Sequence, residues 1–209
     1  MVRKTKEGAL ETRSRLLDAA EQLFHRQGVA RTSLAEIAQA AGLTRGAIYW
    51  HFTNKADLYD AMVRRVFQPP EEIALDALDL RAGPEGDDPL TWVRTGMLSV
   101  LERLAHDPRH QRVAEIAWHK CEYVGEMAEI RDRHVECGNR HLDTIERALV
   151  AAQTRDQLAP HVNPRQAAVG LMALLDGLMV NWTLDPSRFP LDKFAAGIVD
   201  GYLEGLRRK

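Results

Sequence analysis

The residues that most constrain this chain are 32–55, TSLAEIAQAAGLTRGAIYWHFTNK. Leu34, Ile37, Ala38 and Ala41 recur at i, i+3, i+4 and i+7, the apolar stripe of one short helix. Thr32 or Ser33 can cap its start and Gly42 can end it. Thr44 can cap a second helix that continues through Ala47 and Ile48 to Tyr49, too short to be stable alone. Ala47, Ile48 and Phe52 would anchor it on the first helix, leaving Thr44, Arg45, Gly46, Tyr49, Trp50 and His51 outward. Two short helices joined by a tight turn make a helix–turn–helix, which lays its second helix in the major groove of DNA.

The outward residues suit that task. Arg45 can pair bidentately with guanine or clamp a phosphate. Gly46 lets the helix approach a partner closely. Thr32, Ser33, Thr44, Tyr49 and His51 offer donors to phosphate oxygens, and Lys55 adds a charge at the start of the next helix. Trp50 is expected outside with Tyr49; the competing reading makes one or both core aromatics, with Trp50 half-packed under the chain's first helix.

The rest of the chain reads as helix after helix, an all-α pattern with no sustained strand-like alternation. A first helix carries Leu16, Leu17, Ala20, Leu23 and Phe24 on one face and should end at Gly28. The fourth starts near Asn54, with an interruption expected at Pro69 and Pro70. Residues 82–88 read as a loop, and Pro89 and Pro108 open two further helices. One long helix is expected from near Lys120 to Thr154, another from Arg165 to Leu184, and a last one from Pro190 to near Arg207. The resulting division is a DNA-binding domain over residues 1–55 and a ligand-binding and dimerisation domain over 56–209, linked by the fourth helix.

Charge is uneven along that division. Residues 1–55 hold nine Lys/Arg and five Asp/Glu, whereas the whole chain has a net charge of −2. A basic module on an acidic body concentrates phosphate attraction at one end. The basic tip Arg3, Lys4 and Lys6 reads either as an arm against DNA or as a solubilising tail. No uninterrupted run of 18 apolar residues and no signal-like N-terminus is present, so no membrane partner is expected and the cytoplasm is the expected location. Cys121 and Cys137, 16 residues apart on one expected helix, would lie about 24 Å apart, too far for a disulfide.

At these residues the sequence resembles a known family. The pattern Leu16, Ala19, Ala20, Phe24 and Gly28, the set Thr32, Ile37, Ala38, Ala41 and Gly42, and the run from Arg45 to Phe52 followed by Lys55 and Leu58 are similar to the TetR family of bacterial repressors. Residues 119–127, HKCEYVGEM, and 176–182, DGLMVNW, resemble its AcrR-type branch, repressors of multidrug efflux pumps. The resemblance implies a homodimer on a palindromic double-stranded DNA operator, released by a small-molecule inducer. It further implies an inducer cavity at which Trp118, His141 and Asp176 match lining positions.

The residues themselves support parts of that expectation. The segment from Val169 to Trp182 is apolar on nearly every side, and such a helix must be buried all round, with a second copy covering what this chain cannot. Phe194, Ile198, Tyr202 and Leu206 repeat the logic on the last helix. Phe67, Met97, Leu101, Trp118 and Met179 are the candidate apolar ligand contacts, with His134, His141 and Asp176 as polar ones. A rival reading makes His134, Cys137 and His141 a metal-sensing trio. A second rival is a DNA-binding protein with a filled core and no ligand. No GxSxG, HExxH, Walker A or dinucleotide fingerprint occurs, so no enzyme, cofactor or committed metal site is expected.

Overall fold

A computed structural model describes residues 2–67, 83–86 and 88–208, with side chains from residue 7 onward. Among these residues the secondary structure is helical, apart from one isolated antiparallel bridge between Leu158 and Arg207. The helices are α1 (Val2–Gln27), α2 (Leu34–Ala40), α3 (Arg45–His51), α4 (Lys55–Phe67), α5 (Pro89–His106), α6 (Pro108–His119), α7 (Ala128–Thr154), α8 (Pro164–Leu184) and α9 (Leu191–Leu206).

Backbone chemistry accounts for most ends. α1 stops where Gly28 takes φ 82°, a left-handed conformation that glycine adopts without strain. Asn163 and Asp88 cap α8 and α5, and each of these helices has proline in its first turn. Because α1 begins at Val2, the tip holding Arg3, Lys4 and Lys6 is the start of a helix rather than an arm before it. The expected break at Pro69 and Pro70 lies outside the described residues; of the expected loop, residues 83–86 form a turn.

The long helix starts later than its sequence suggests. Residues 120–124 are not helical, a 3-10 turn spans Gly125–Met127, and α7 begins only at Ala128. Gly125 sits at φ 56°, and Lys120 gives its carbonyl to the Val29 N–H instead of to a following helical turn. Cys121 is therefore off the helix that carries Cys137, so a helical rise does not measure their separation. Neither forms a disulfide.

The chain divides into two compact units, residues 1–69 with 112–133, and residues 70–111 with 134–209. The boundary expected between 55 and 56 thus falls inside the first unit. The reason is a shared core: Leu58, Tyr59 and Met62 of α4, with Val113, Ile116, Met127 and Ile130, pack into the same cluster as Leu16, Phe24, Ile37 and Ile48. Glu21 of α1, only 4% exposed, adds a buried ionic tie to Arg112 at 2.9 Å and Arg65 at 3.5 Å.

In the second unit α5 packs on α8 and α9, with Leu90, Val93, Met97, Leu101 and Leu104 buried. Arg94 joins α5 to α9 through a two-pronged bond to Asp200 at 2.5 and 2.9 Å. α8 is less covered than its composition demands. Its mean hydropathy over 18 residues is 1.5, enough with its length to cross a membrane by composition, yet only 33% of that window is buried. Val169 and Leu184 on α8 and Phe194 on α9 remain 49%, 66% and 51% exposed.

Candidate functional site

The first unit builds α3 as a short helix held from beneath. Ile48 and Phe52 are buried at 0% and 2% exposure, which fixes one face. Thr44 caps the start by accepting a bond from the Ala47 N–H at 3.3 Å, keeping its own hydroxyl proton for an outside acceptor. Arg13 of α1 stands 5.1 Å from the centre of the Phe52 ring. α2, on which α3 rests, has a full capping box between Ser33 and Glu36, and its far end is closed by the Arg15 guanidinium on the Ala41 carbonyl at 2.6 Å.

The opposite face of α3 is open. Tyr49 is 48% and Trp50 73% exposed, so the reading that tucks Trp50 under the first helix is not what the fold does. Arg45 is exposed and lies over the Tyr49 ring at 5.7 Å, a cation–π contact that pre-orients both side chains. A Cβ on Gly46 would meet only Thr44 Oγ1 at 3.9 Å. The fold itself therefore tolerates a side chain there. His51 packs edge-on against Trp50, ring centres 4.6 Å apart. Burial first, then the nearby Arg13 charge, holds its pKa below the usual histidine value, so near neutral pH it offers a neutral N–H and not a cation.

Two expected surface contacts are committed elsewhere. Thr32 is 1% exposed and its hydroxyl donates to the Gly28 carbonyl at 2.7 Å, tying the α1–α2 loop. Lys55 is 7% exposed, and its ammonium reaches the Thr32 carbonyl at 3.1 Å, the Ala30 carbonyl at 3.5 Å and Glu126 at 2.7 Å. Ser33 remains at the surface with its hydroxyl engaged by Glu36. These residues line a groove of about 340 Å³ together with Arg31, Arg45, Tyr49 and Glu126. Glu126 was not anticipated from sequence: it stands far along the chain on a turn without periodic signal.

The expected ligand contacts fall into two groups. In the first unit Phe67 and Trp118 meet edge to face with ring centres 6.2 Å apart. In the second unit Met97, Leu101 and Met179 are buried, and Asp176 of α8 shares its surroundings with His134 and His141 of α7. All three polar groups are open to solvent from one side and crowded by protein on the other in the case of Asp176 and His141. Crowding pushes the Asp176 carboxyl above the usual aspartate range, with the two histidines pulling against it. It pushes His141 below the usual histidine value, helped by Arg140 and opposed by Asp176. A larger hollow of the second unit, lined by Glu85, Asp143, Glu146, Arg147 and Val150, holds none of the expected ligand residues. Among the described residues no group of three His, Cys, Asp or Glu side chains converges for a metal, so His134, Cys137 and His141 do not form the sensing trio.

Residues 16–62 match the model of bacterial regulatory proteins of the tetR family, and residues 88–208 match the C-terminal region of MAATS-type transcriptional repressors. The chain belongs to the TetR family. It is 41% identical to the HTH-type transcriptional regulator TtgR of Pseudomonas putida over 209 residues, covering 99% of this chain and 97% of that protein. Among solved structures, NalD of Pseudomonas aeruginosa, described as the secondary repressor of the MexAB-OprM multidrug efflux pump, has a TM-score of 0.86 at 34% identity. That match covers 97% of this chain and 98% of the other. The SmeT–triclosan complex, of the Stenotrophomonas maltophilia repressor, has a TM-score of 0.81 at 31% identity, covering 95% and 93%.

As a TetR-family regulator the chain has its reading head in the first unit. Of the residues expected to meet DNA, Thr44, Arg45, Gly46, Tyr49 and Trp50 are exposed and His51 half-buried, while Thr32 and Lys55 brace the loop and helix behind them.

Proposed function

We propose that this protein is a ligand-responsive repressor of a multidrug efflux operon, working in the bacterial cytoplasm as a homodimer on a palindromic operator. The observation that carries this reading is the end-to-end similarity to efflux repressors of a chain whose α3 holds Arg45, Tyr49 and Trp50 outward. α3 enters the major groove, Arg45 reads a guanine edge or clamps a phosphate, and Tyr49, Thr44 and His51 donate to the backbone. Lys55 and Thr32 brace α3 from behind through the α1–α2 loop.

The dimer forms through α8 and α9. Val169, Leu184 and Phe194 supply apolar surface that one chain leaves in water, and a two-fold partner covers it with the same surface. Pairing sets two reading heads for two half-sites. A small hydrophobic or cationic inducer binds in the second unit among Met97, Leu101 and Met179, oriented by His134, His141 and Asp176. It favours a state in which the heads no longer match the half-sites, which requires tighter binding to that state than to the DNA-bound one. The relative SmeT was solved as a complex with triclosan.

The test is nuclease protection of the DNA flanking the protein's own gene and neighbouring transporter genes, with and without triclosan. A protected palindrome that opens on adding ligand is the expected result. Protection nowhere on that DNA would sink the repressor reading, and protection indifferent to a panel of apolar and cationic ligands would favour a DNA-binding protein without inducer.

A further inference from the structure

The Lys55 ammonium has three donors, and the three acceptors facing it are unequal. The carbonyls of Ala30 and Thr32 are fixed in the α1–α2 loop. The third, Glu126 at 2.7 Å, sits on a side chain 55% exposed, in the middle of the Gly125–Met127 turn. It is a full negative charge on the wall of the groove formed by Arg31, Ser33, Arg45, Tyr49 and Lys55. The other nearby carboxylate, Glu36, is tied to Ser33 by two bonds and does not line the groove. The other charged side chains lining the groove, Arg31, Arg45 and Lys55, are cationic, beside the outward face of α3.

We propose that Glu126 competes with DNA phosphate for Lys55 and the groove, an acidic brake on DNA binding carried by the turn between α6 and α7. This rests on the DNA-binding reading above. While the carboxylate stays in the groove, it neutralises Lys55 and repels an incoming phosphate. When it swings out, a phosphate oxygen takes its place on the ammonium, and one more counterion leaves the DNA. Its place on the chain suits regulation, because the turn leads directly into α7, the helix that carries His134 and His141. A displacement of α7 along its length is transmitted to the turn by chain continuity, and hence changes the charge that the groove offers.

The experiment uses Glu126→Gln and Glu126→Ala with a mixed-sequence DNA duplex, so neither operator nor inducer need be known. Glu122→Gln is the control: it removes an exposed carboxylate from the same connection, outside the groove. Binding is measured from about 50 to 200 mM salt, where phosphate contacts dominate nonspecific affinity. Both Glu126 variants should bind about fivefold more tightly than the wild type at the lowest salt. Their log–log salt slope should be steeper by about 0.9 per engaged protomer, since one further phosphate is neutralised. Glu122→Gln should follow the wild type. Glu126 variants that bind equally or more weakly, or an equal gain in Glu122→Gln, would overturn the proposal. If the wild type itself shows no salt-dependent binding, the DNA-binding reading falls with it.

Discussion

Gly170 of α8 lies directly beneath Tyr202 of α9: a Cβ on residue 170 would overlap the tyrosine oxygen and stand 2.8 Å from its Cζ. The hydroxyl is held there by the Ala167 carbonyl, which accepts its proton at 3.3 Å. The bare glycine is thus what lets α8 and α9 close on one another. Gly170→Ala should cost about 1–3 kcal/mol by overpacking and lower the thermal midpoint. Tyr202→Phe removes the worst-placed atom, so the double variant should lose less than the two single ones summed. Strict additivity in a denaturant titration would mean that the two residues are not in contact.

Phe194→Glu tests the surface those helices present. Phe194 is half exposed in one chain, so a charge there leaves the isolated fold intact. Buried against a second copy it has no partner, and the dimer should weaken by about 3 kcal/mol or more. Sedimentation should find a folded monomer with native helix content. A variant that remains dimeric at micromolar concentration removes α9 from the interface.

On the reading head, Arg45→Ala and Tyr49→Ala should each weaken operator binding by about 1–3 kcal/mol at fixed salt while leaving the melting temperature unchanged. Because Arg45 lies over the Tyr49 ring, each loses an orienting neighbour when the other is cut. The double variant should therefore cost less than the sum, by about 0.5–1 kcal/mol. Either single variant binding like the wild type would take that residue out of the interface.

How much of this could be read beforehand follows from the range of each signal. α2 and α3 were legible because capping, turn and apolar period act within a few residues: Ser33, Gly42, Thr44 and Ile48 all do what their types and spacing imply. The roles of Thr32 and Lys55 were not: Thr32 turns its hydroxyl inward to Gly28, and Lys55 is held by loop carbonyls before it and by Glu126 some seventy residues further along the chain, none of which helical periodicity shows. The start of α7 was misplaced for the same reason: the Lys120 carbonyl is claimed by Val29, a partner invisible to helical periodicity. Asp176 and His141 were expected at one cavity only through the family resemblance; the charges they exert on each other and the degree to which they are open depend on what packs around them, which one helix face does not specify.

Asp176 gives the last prediction, which joins stability to ligand choice. Its folded-state pKa is raised, chiefly by burial, so the unfolded chain loses this proton first as pH rises. Between the ordinary aspartate value, about 4, and the raised one the native state binds more protons than the unfolded state, and stability falls with increasing pH. Asp176→Asn cannot ionise; it should match the wild type below about pH 4 and be the more stable protein above the raised value. The same ionised carboxylate favours a cation, so the substitution should weaken binding of tetraphenylphosphonium more than of triclosan. Where Asp176 is partly protonated, cation binding also expels its proton, visible in calorimetry as a heat that changes with the ionisation enthalpy of the buffer. Equal losses for both ligands, with no buffer dependence in the wild type, would make Asp176 a structural residue with no part in choosing the inducer.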